Sequence, residues 1–123
     1  MYNTQLEAKI DAVAKRWRKV DKKKMFGGVC WLLKGNMAFG IYKDSLIVRI
    51  DKAQGEQSLK DRNVKPFDIT GRPMAGWVMV QEAGWKAQAS LAKWIAVGKR
   101  FALSLPEKKV TANKTKTLKE YKP

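Results

Sequence analysis

Apolar residues recur at spacings of three and four near the beginning of the chain. Between residues 4 and 20 these positions are Leu6, Ile10, Val13, Trp17 and Val20. The spacing places the side chains on one face of a helix, so the pattern predicts a helix over residues 4–20. Thr4 followed by Glu7 forms a capping-box signal, which predicts that this helix begins there.

A second helical pattern, over residues 88–105, predicts the last helix. Its apolar face consists of Leu91, Trp94, Ile95, Gly98, Phe101, Ala102 and Leu105. Gly98 lies in the middle of that face, although glycine costs about 1 kcal/mol relative to alanine inside a helix. We therefore expect this helix to pack closely against the sheet at Gly98.

Short apolar runs bounded by turn residues predict strands between the two helices. The runs cover residues 25–33, 37–42, 46–50, 65–69 and 76–80. The glycines near the beginning of the first run predict a kink or bulge, and Pro66 predicts an edge strand because it has no N–H to donate. The polar segment 53–61 predicts a short helix.

The predicted order of elements is α-β-β-β-α-β-β-α. Strands clustered in runs and joined by tight turns indicate an antiparallel sheet. The sequence thus predicts a two-layer α+β fold with a sheet of about five strands.

Composition limits the class of protein. The chain has 123 residues, of which 45% are hydrophobic, as expected for one folded domain. The longest apolar run, residues 29–33, is too short to span a membrane, and the polar beginning of the chain does not resemble a signal peptide. Together with a single cysteine, these features lead us to expect a cytoplasmic protein with no membrane partner.

Basic residues dominate the charge, and the net charge is +15. Two short segments, 15–24 and 99–122, contain much of the excess of basic over acidic residues. The candidate binding residues of the first segment are Lys15, Arg16, Arg18, Lys19, Lys22, Lys23 and Lys24. They form either a solvated surface or a contact for a polyanion such as nucleic acid, which they would bind without sequence specificity.

Catalytic and metal-binding patterns are missing from the sequence. There is no histidine, and Cys30 lies in an apolar strand where a thiol is usually a small core residue. The carboxylates are scattered, and the glycines match neither a dinucleotide-binding nor a P-loop pattern. We expect no enzyme activity, no cofactor and no metal.

The segment 70–74 is the most distinctive predicted loop. Gly71 and Pro73 restrict the backbone on both sides of Arg72, which could present its guanidinium to a phosphate or a carboxylate. Alternatively, Arg72 caps a carbonyl or pairs with Asp68, and the motif only shapes the fold.

The five tryptophans are more typical of a core than of a base-stacking surface. Trp17, Trp31, Trp77 and Trp94 lie on patterns that face the core, and burial is expected for Trp77 and Trp94 in particular. Trp85, next to Gly84, is the tryptophan that we expect to be most exposed.

Several short strings occur in an order that resembles a known family. They include Met25, Phe26, Gly27 and Gly28, then Gly35 and Asn36, then a string from Asp68 through Gly71, Pro73 and Gly76 to Trp77. With the residues that follow Leu91, they resemble the N-terminal domain of the TfoX (Sxy) family of bacterial competence regulators. The resemblance covers residues 4–106. The family's longer members carry a helical C-terminal domain, in whose place this chain has a basic segment.

The resemblance implies a two-layer α+β domain, similar in outline to secretion chaperones, with a regulatory and non-enzymatic role in the bacterial cytoplasm. We expect a domain over residues 1–106 followed by a flexible basic tail over 107–123. The leading hypothesis for its function is binding of a protein partner. The alternative is a nucleic-acid-associated protein that binds through residues 15–24 and 99–122.

Self-association is a further expectation. The runs 29–33 and 37–42 are apolar at nearly every position, whereas a half-solvated antiparallel sheet usually alternates. The predicted helices suffice to cover one face of the sheet. A homodimer would cover the other face, unless the last helix crosses over to it.

Overall fold

The computed structural model describes residues 2–25, 27–68 and 76–107. The helices are α1 (Thr4–Ala14), α2 (Lys52–Ser58), α3 (Glu82–Trp85) and α4 (Gln88–Ser104). The strands are β1 (Val20–Met25), β2 (Gly28–Leu33), β3 (Asn36–Tyr42), β4 (Ser45–Arg49), β5 (Val64–Pro66) and β6 (Trp77–Val80). The α+β class is confirmed.

The strands form one sheet in the order β1-β2-β3-β4-β6-β5, in which every neighbouring pair is antiparallel. The described residues contain six strands instead of about five, because residues 20–25, which the sequence pattern placed between the first helix and the first strand, form β1. Residues 65–69 were predicted as an edge strand or an extended segment; an edge strand is present, but it is shorter, since β5 covers Val64–Pro66 and is the last strand of the sheet.

Helix α1 is shorter than predicted and begins differently. It ends at Ala14, and the backbone turns at Lys19, which has a positive φ of 56°, into β1. Trp17 nevertheless packs near the core, since its ring lies 5.9 Å from that of Phe39. The N-cap is Asn3 and not Thr4: the Asn3 side chain accepts a hydrogen bond from the backbone N–H of Leu6 at 2.9 Å.

The core lies between the helices and one face of the sheet. Leu6 and Ile10 of α1 and Leu91 and Ile95 of α4 are all buried in it. The strands contribute Val29, Trp31, Leu33, Phe39, Ile41, Leu46, Val48, Ile50, Val64, Val78 and Val80. Helix α2 packs on the same face, since Gly55 lies against the side chains of Ile50 and Val78.

Gly98 is the point at which α4 lies closest to the sheet, as predicted. A Cβ atom added there would overlap the backbone carbonyl of Ala38 and come within 3.2 Å of the Phe39 ring. The register between β2 and β3 shifts between Trp31 and Leu32, so that Ala38 is an extra residue in β3. Helix α4 therefore packs against an irregular part of the strand.

The glycines near the beginning of β2 form a turn and a close strand contact instead of a bulge. Gly27, with φ of 75°, lies between β1 and β2, which pair from Met25 and Gly28 onwards. A side chain at Gly28 would overlap the carbonyl of Ile41 on β3. The expected bulge lies elsewhere in the sheet, at Ala38.

The tryptophans differ from expectation at three positions. Trp85 is only 2% exposed, because α3 places its ring in the core, where its Nε1 donates to the Asp44 carbonyl at 3.0 Å. The prediction that it is exposed is wrong. Trp77 and Trp94 are half-buried instead of buried, and Trp77 lies on the sheet face opposite the core.

We predict that Gly98→Ala destabilises the domain by about 1–3 kcal/mol, because the added methyl group meets backbone that has to shift. Helix propensity alone would favour alanine. The matched control is Ala96→Gly, an exposed position of the same helix, which should lose only about 1 kcal/mol. Urea unfolding measures both changes, and a Gly98→Ala variant as stable as wild type would contradict the close packing.

Candidate functional site

The face of the sheet opposite the core carries a largely apolar surface, which we call the second face. Alternation along the strands places on it Cys30, Leu32, Tyr42, Ile47, Arg49, Trp77 and Met79. Cys30 and Ile47 are buried, whereas Leu32, Tyr42, Trp77 and Met79 are half-buried. The helices of the described residues do not cover this face.

Phe67, which follows β5, folds back over the second face. Its ring lies 5.9 Å from the ring of Trp77 and 6.4 Å from that of Tyr42, and Phe67 is 5% exposed. These three rings form an aromatic row across β3, β4 and β6. The second face therefore has a fixed aromatic centre next to half-buried aliphatic side chains.

Arg49 lies at the end of β4, where the second face meets the end of α4. Its Cζ is 5.9 Å from the centroid of the Trp77 ring and 5.4 Å from that of the Phe101 ring. Its Nη1 donates to the carbonyl of Met37 at 3.4 Å. Burial lowers the pKa of Arg49, because desolvation disfavours the charged guanidinium.

The candidate binding residues of segment 15–24 lie on two elements. Lys15, Arg16, Arg18 and Lys19 are exposed in the connection between α1 and β1, and Lys22, Lys23 and Lys24 belong to the edge strand β1. Lys19 forms an ion pair with Glu107 at 3.5 Å. Lysines on an edge strand also prevent uncontrolled pairing with another sheet, so this placement serves the fold as well as any ligand.

Lys22 is engaged inside the protein. Its Nζ lies 2.7 Å from Glu7 and 2.8 Å from Asp11, both on α1, and 5.3 Å from the centroid of the Trp31 ring. Burial alone lowers the pKa of Lys22, but the hydrogen bonds to Asp11 and Glu7 outweigh burial and raise it. Asp11 also accepts from Nε1 of Trp31 at 3.1 Å. Lys22 thus joins α1 to the sheet.

Part of the predicted site lies outside the described residues. This applies to Arg72, to Gly71 and Pro73 beside it, to Phe26, and to residues 108–123 of the predicted tail. Among the other motif residues, Gly35 and Gly76 have positive φ values of 83° and 84°. Asn36 is buried and donates to the carbonyl of Pro106 at 2.9 Å, so it fixes the chain that follows α4.

Arg49 is the residue that the sequence analysis did not select. The sequence did contain a hint, because Arg49 is the one charged residue of β4 and lies between the apolar residues Val48 and Ile50. From the sequence alone, such an arginine is equally consistent with a solvated side chain and with a binding residue. Only the register that places it beside Trp77, and the length of α4 that brings Phe101 to it, distinguish the two interpretations.

Within residues 2–25, 27–68 and 76–107, no group of three or more histidine, cysteine, aspartate or glutamate side chains could hold a metal ion. No helix in the same part of the chain is long and apolar enough to cross a membrane. The geometry defines a small α+β domain with its helices on one face of the sheet and an aromatic surface with a half-buried arginine on the other.

Comparison with known families identifies this domain. Residues 11–102 match the TfoX N-terminal domain, and the chain belongs to that family. The family is a regulatory domain type, and the match agrees with the resemblance derived from the sequence strings. Neither a curated protein nor a solved structure matches the chain.

We predict that Cys30 reacts slowly with thiol reagents in the folded domain. Burial raises its pKa to about 11, so at pH 8 the reactive thiolate is at least about 100-fold rarer than in an exposed cysteine with pKa near 8.5. The raised pKa also makes folding stability decrease as the pH rises from about 9 to about 11, since only the unfolded state then releases the proton. Labelling rates of the folded domain in buffer and of the unfolded chain in urea test the predicted slow reaction of Cys30, and equal rates would contradict it.

Proposed function

We propose that this domain is a cytoplasmic regulator that acts by binding a protein partner through the second face. The observation that supports the proposal most strongly is the arrangement of the layers. α1, α2 and α4 pack on the core face, whereas the second face keeps Leu32, Trp77 and Met79 half-buried. Apolar patches framed by polar residues are typical of protein interaction sites.

The family match supports a regulatory role and leaves the partner open. A second copy of this chain is one occupant of the second face, so the homodimer stays a prediction. The alternative that α4 crosses to the second face is wrong, because Leu91, Ile95 and Ala102 of α4 are buried in the core on the other side. A net charge of +15 opposes contact between two copies and favours an acidic partner.

Nucleic acid binding remains the second candidate function. The observation that favours it is the exposure of Lys15, Arg16, Arg18 and Lys19 in one short connection. Such a group attracts phosphates without reading sequence. It lies at the edge of the sheet, so the two candidate functions use different side chains and can be separated by substitution.

We expect Leu32→Glu to abolish capture of a partner from a lysate of the source organism at 0.5 M salt, about the ionic strength at which exposed charge contacts are largely screened. The reason is that the glutamate introduces a charge among the half-buried apolar side chains of the second face. The matched control is Leu103→Glu, which makes the same change at a position of α4 that is 42% exposed. Affinity purification followed by mass spectrometry measures the captured protein.

Partner capture that survives in Leu32→Glu and is lost in Leu103→Glu would contradict the proposal. Circular dichroism melting confirms that both variants are folded. A mobility shift with duplex DNA tests the alternative: Arg16→Glu with Arg18→Glu should weaken a shift that is salt-dependent, whereas Leu32→Glu should leave it unchanged. A DNA shift with no high-salt protein partner would favour the alternative.

A further inference from the structure

Arg49 lacks a counterion in the described part of the chain. The ion pairs there join Lys19 to Glu107, and Lys22 to Glu7 and Asp11. A guanidinium has five N–H donors, and among the residues that the structure describes Arg49 uses one of them, in the long hydrogen bond to Met37. The two aromatic rings near its Cζ satisfy the charge only partly.

A half-buried cation without a carboxylate is a costly arrangement for a fold. Removing charge from water is unfavourable unless an opposite charge or sufficient hydrogen bonds compensate. At this position a methionine or leucine would pack beside Trp77 and Phe101 without that cost. The presence of arginine at the margin of a half-buried apolar face is therefore explained best by an anion that arrives from outside the chain.

The surroundings of Arg49 indicate what carries the anion. The register places Arg49 opposite Trp77, and the Phe67 ring packs at a tilt against Trp77, so the guanidinium borders an aromatic surface. Lys34, which follows β2, is exposed at the same end of the sheet. Its N–H donates to the carbonyl of Lys19 at 3.1 Å, and Lys19 itself is paired with Glu107. This end combines apolar contact area with positive charge.

We propose that Arg49 binds the carboxylate of an aspartate or glutamate in an acidic protein segment whose neighbouring apolar side chains lie on the second face. This inference rests on the proposed function, because it names the chemistry of the partner that the second face takes. Arginine matches a carboxylate with two parallel N–H···O hydrogen bonds, and the pair is stronger where the site is partly desolvated.

A nucleic acid fits this site less well. Phosphates of a duplex are spaced along a solvated backbone and are matched by several exposed basic side chains. Arg49 is instead half-buried beside the rings of Trp77 and Phe101. An acidic residue flanked by leucine or phenylalanine supplies both the charge and the apolar contacts that the site offers.

The test selects peptides from a random phage-displayed library on the immobilised full chain, with washing at 0.5 M salt to remove general charge attraction. We expect the enriched peptides to share an aspartate or glutamate next to apolar residues. Their synthetic forms should bind Arg49→Met at least tenfold more weakly than wild type. Replacing the acidic residue by its amide should weaken binding to wild type by a similar factor.

Arg100→Met is the matched control, since it removes the same charge at an exposed position of α4. It should leave peptide affinity within twofold of wild type. Methionine keeps the apolar stem of Arg49, and thermal melting establishes that the variant is folded. Arg49→Lys, which keeps the charge but loses the paired donors, should restore only part of the affinity.

Three results would overturn the inference. One is the absence of any enriched acidic residue, and another is equal peptide affinity of Arg49→Met and wild type. The third is a loss of duplex DNA binding in Arg49→Met with no loss of peptide binding. If enriched peptides lack a carboxylate but fail to bind Leu32→Glu, the proposed function stands and the role of Arg49 is wrong.

Discussion

The close contact between α4 and β3 at Gly98 determines how the rest of this domain is arranged. Because a glycine faces the backbone of Ala38, the helix lies against the sheet along its whole buried face, from Leu91 to Ala102. The same contact fixes the direction of α4, which carries Phe101 to Arg49 and Pro106 to Asn36. The core is therefore built on one side of the sheet.

The second face follows from this one-sided packing. Leu32 and Met79 on this face are only half-buried, and the aromatic row of Tyr42, Phe67 and Trp77 gives it a rigid centre. Arg49 lies where the end of α4 meets the second face of the sheet, so the fold partly desolvates it. No carboxylate in the part of the chain that the structure describes forms an ion pair with it. The domain thus presents charge and apolar area together on one side of the sheet.

Periodicity predicted the long elements well and the short ones poorly. Helix α4, the meander of β2, β3 and β4, and the packing of Gly98 follow from local patterns. Strand β1 was missed because Trp17 and Val20 continue the helical spacing of α1, and their true contacts are with distant residues such as Phe39. Trp85 was misjudged because a four-residue helix leaves no periodic signal. The position of Arg49 beside Trp77 could not be predicted, because it depends on the register between β4 and β6.

The most direct test of the account is a set of isotope-edited nuclear Overhauser effects between the labelled domain and an unlabelled bound peptide or partner segment. The account predicts contacts from the ligand to the side chains of Leu32, Trp77 and Met79 on the second face, with the acidic residue of the ligand beside Arg49. Contacts confined to the connection between α1 and β1, around Arg16 and Arg18, would contradict it.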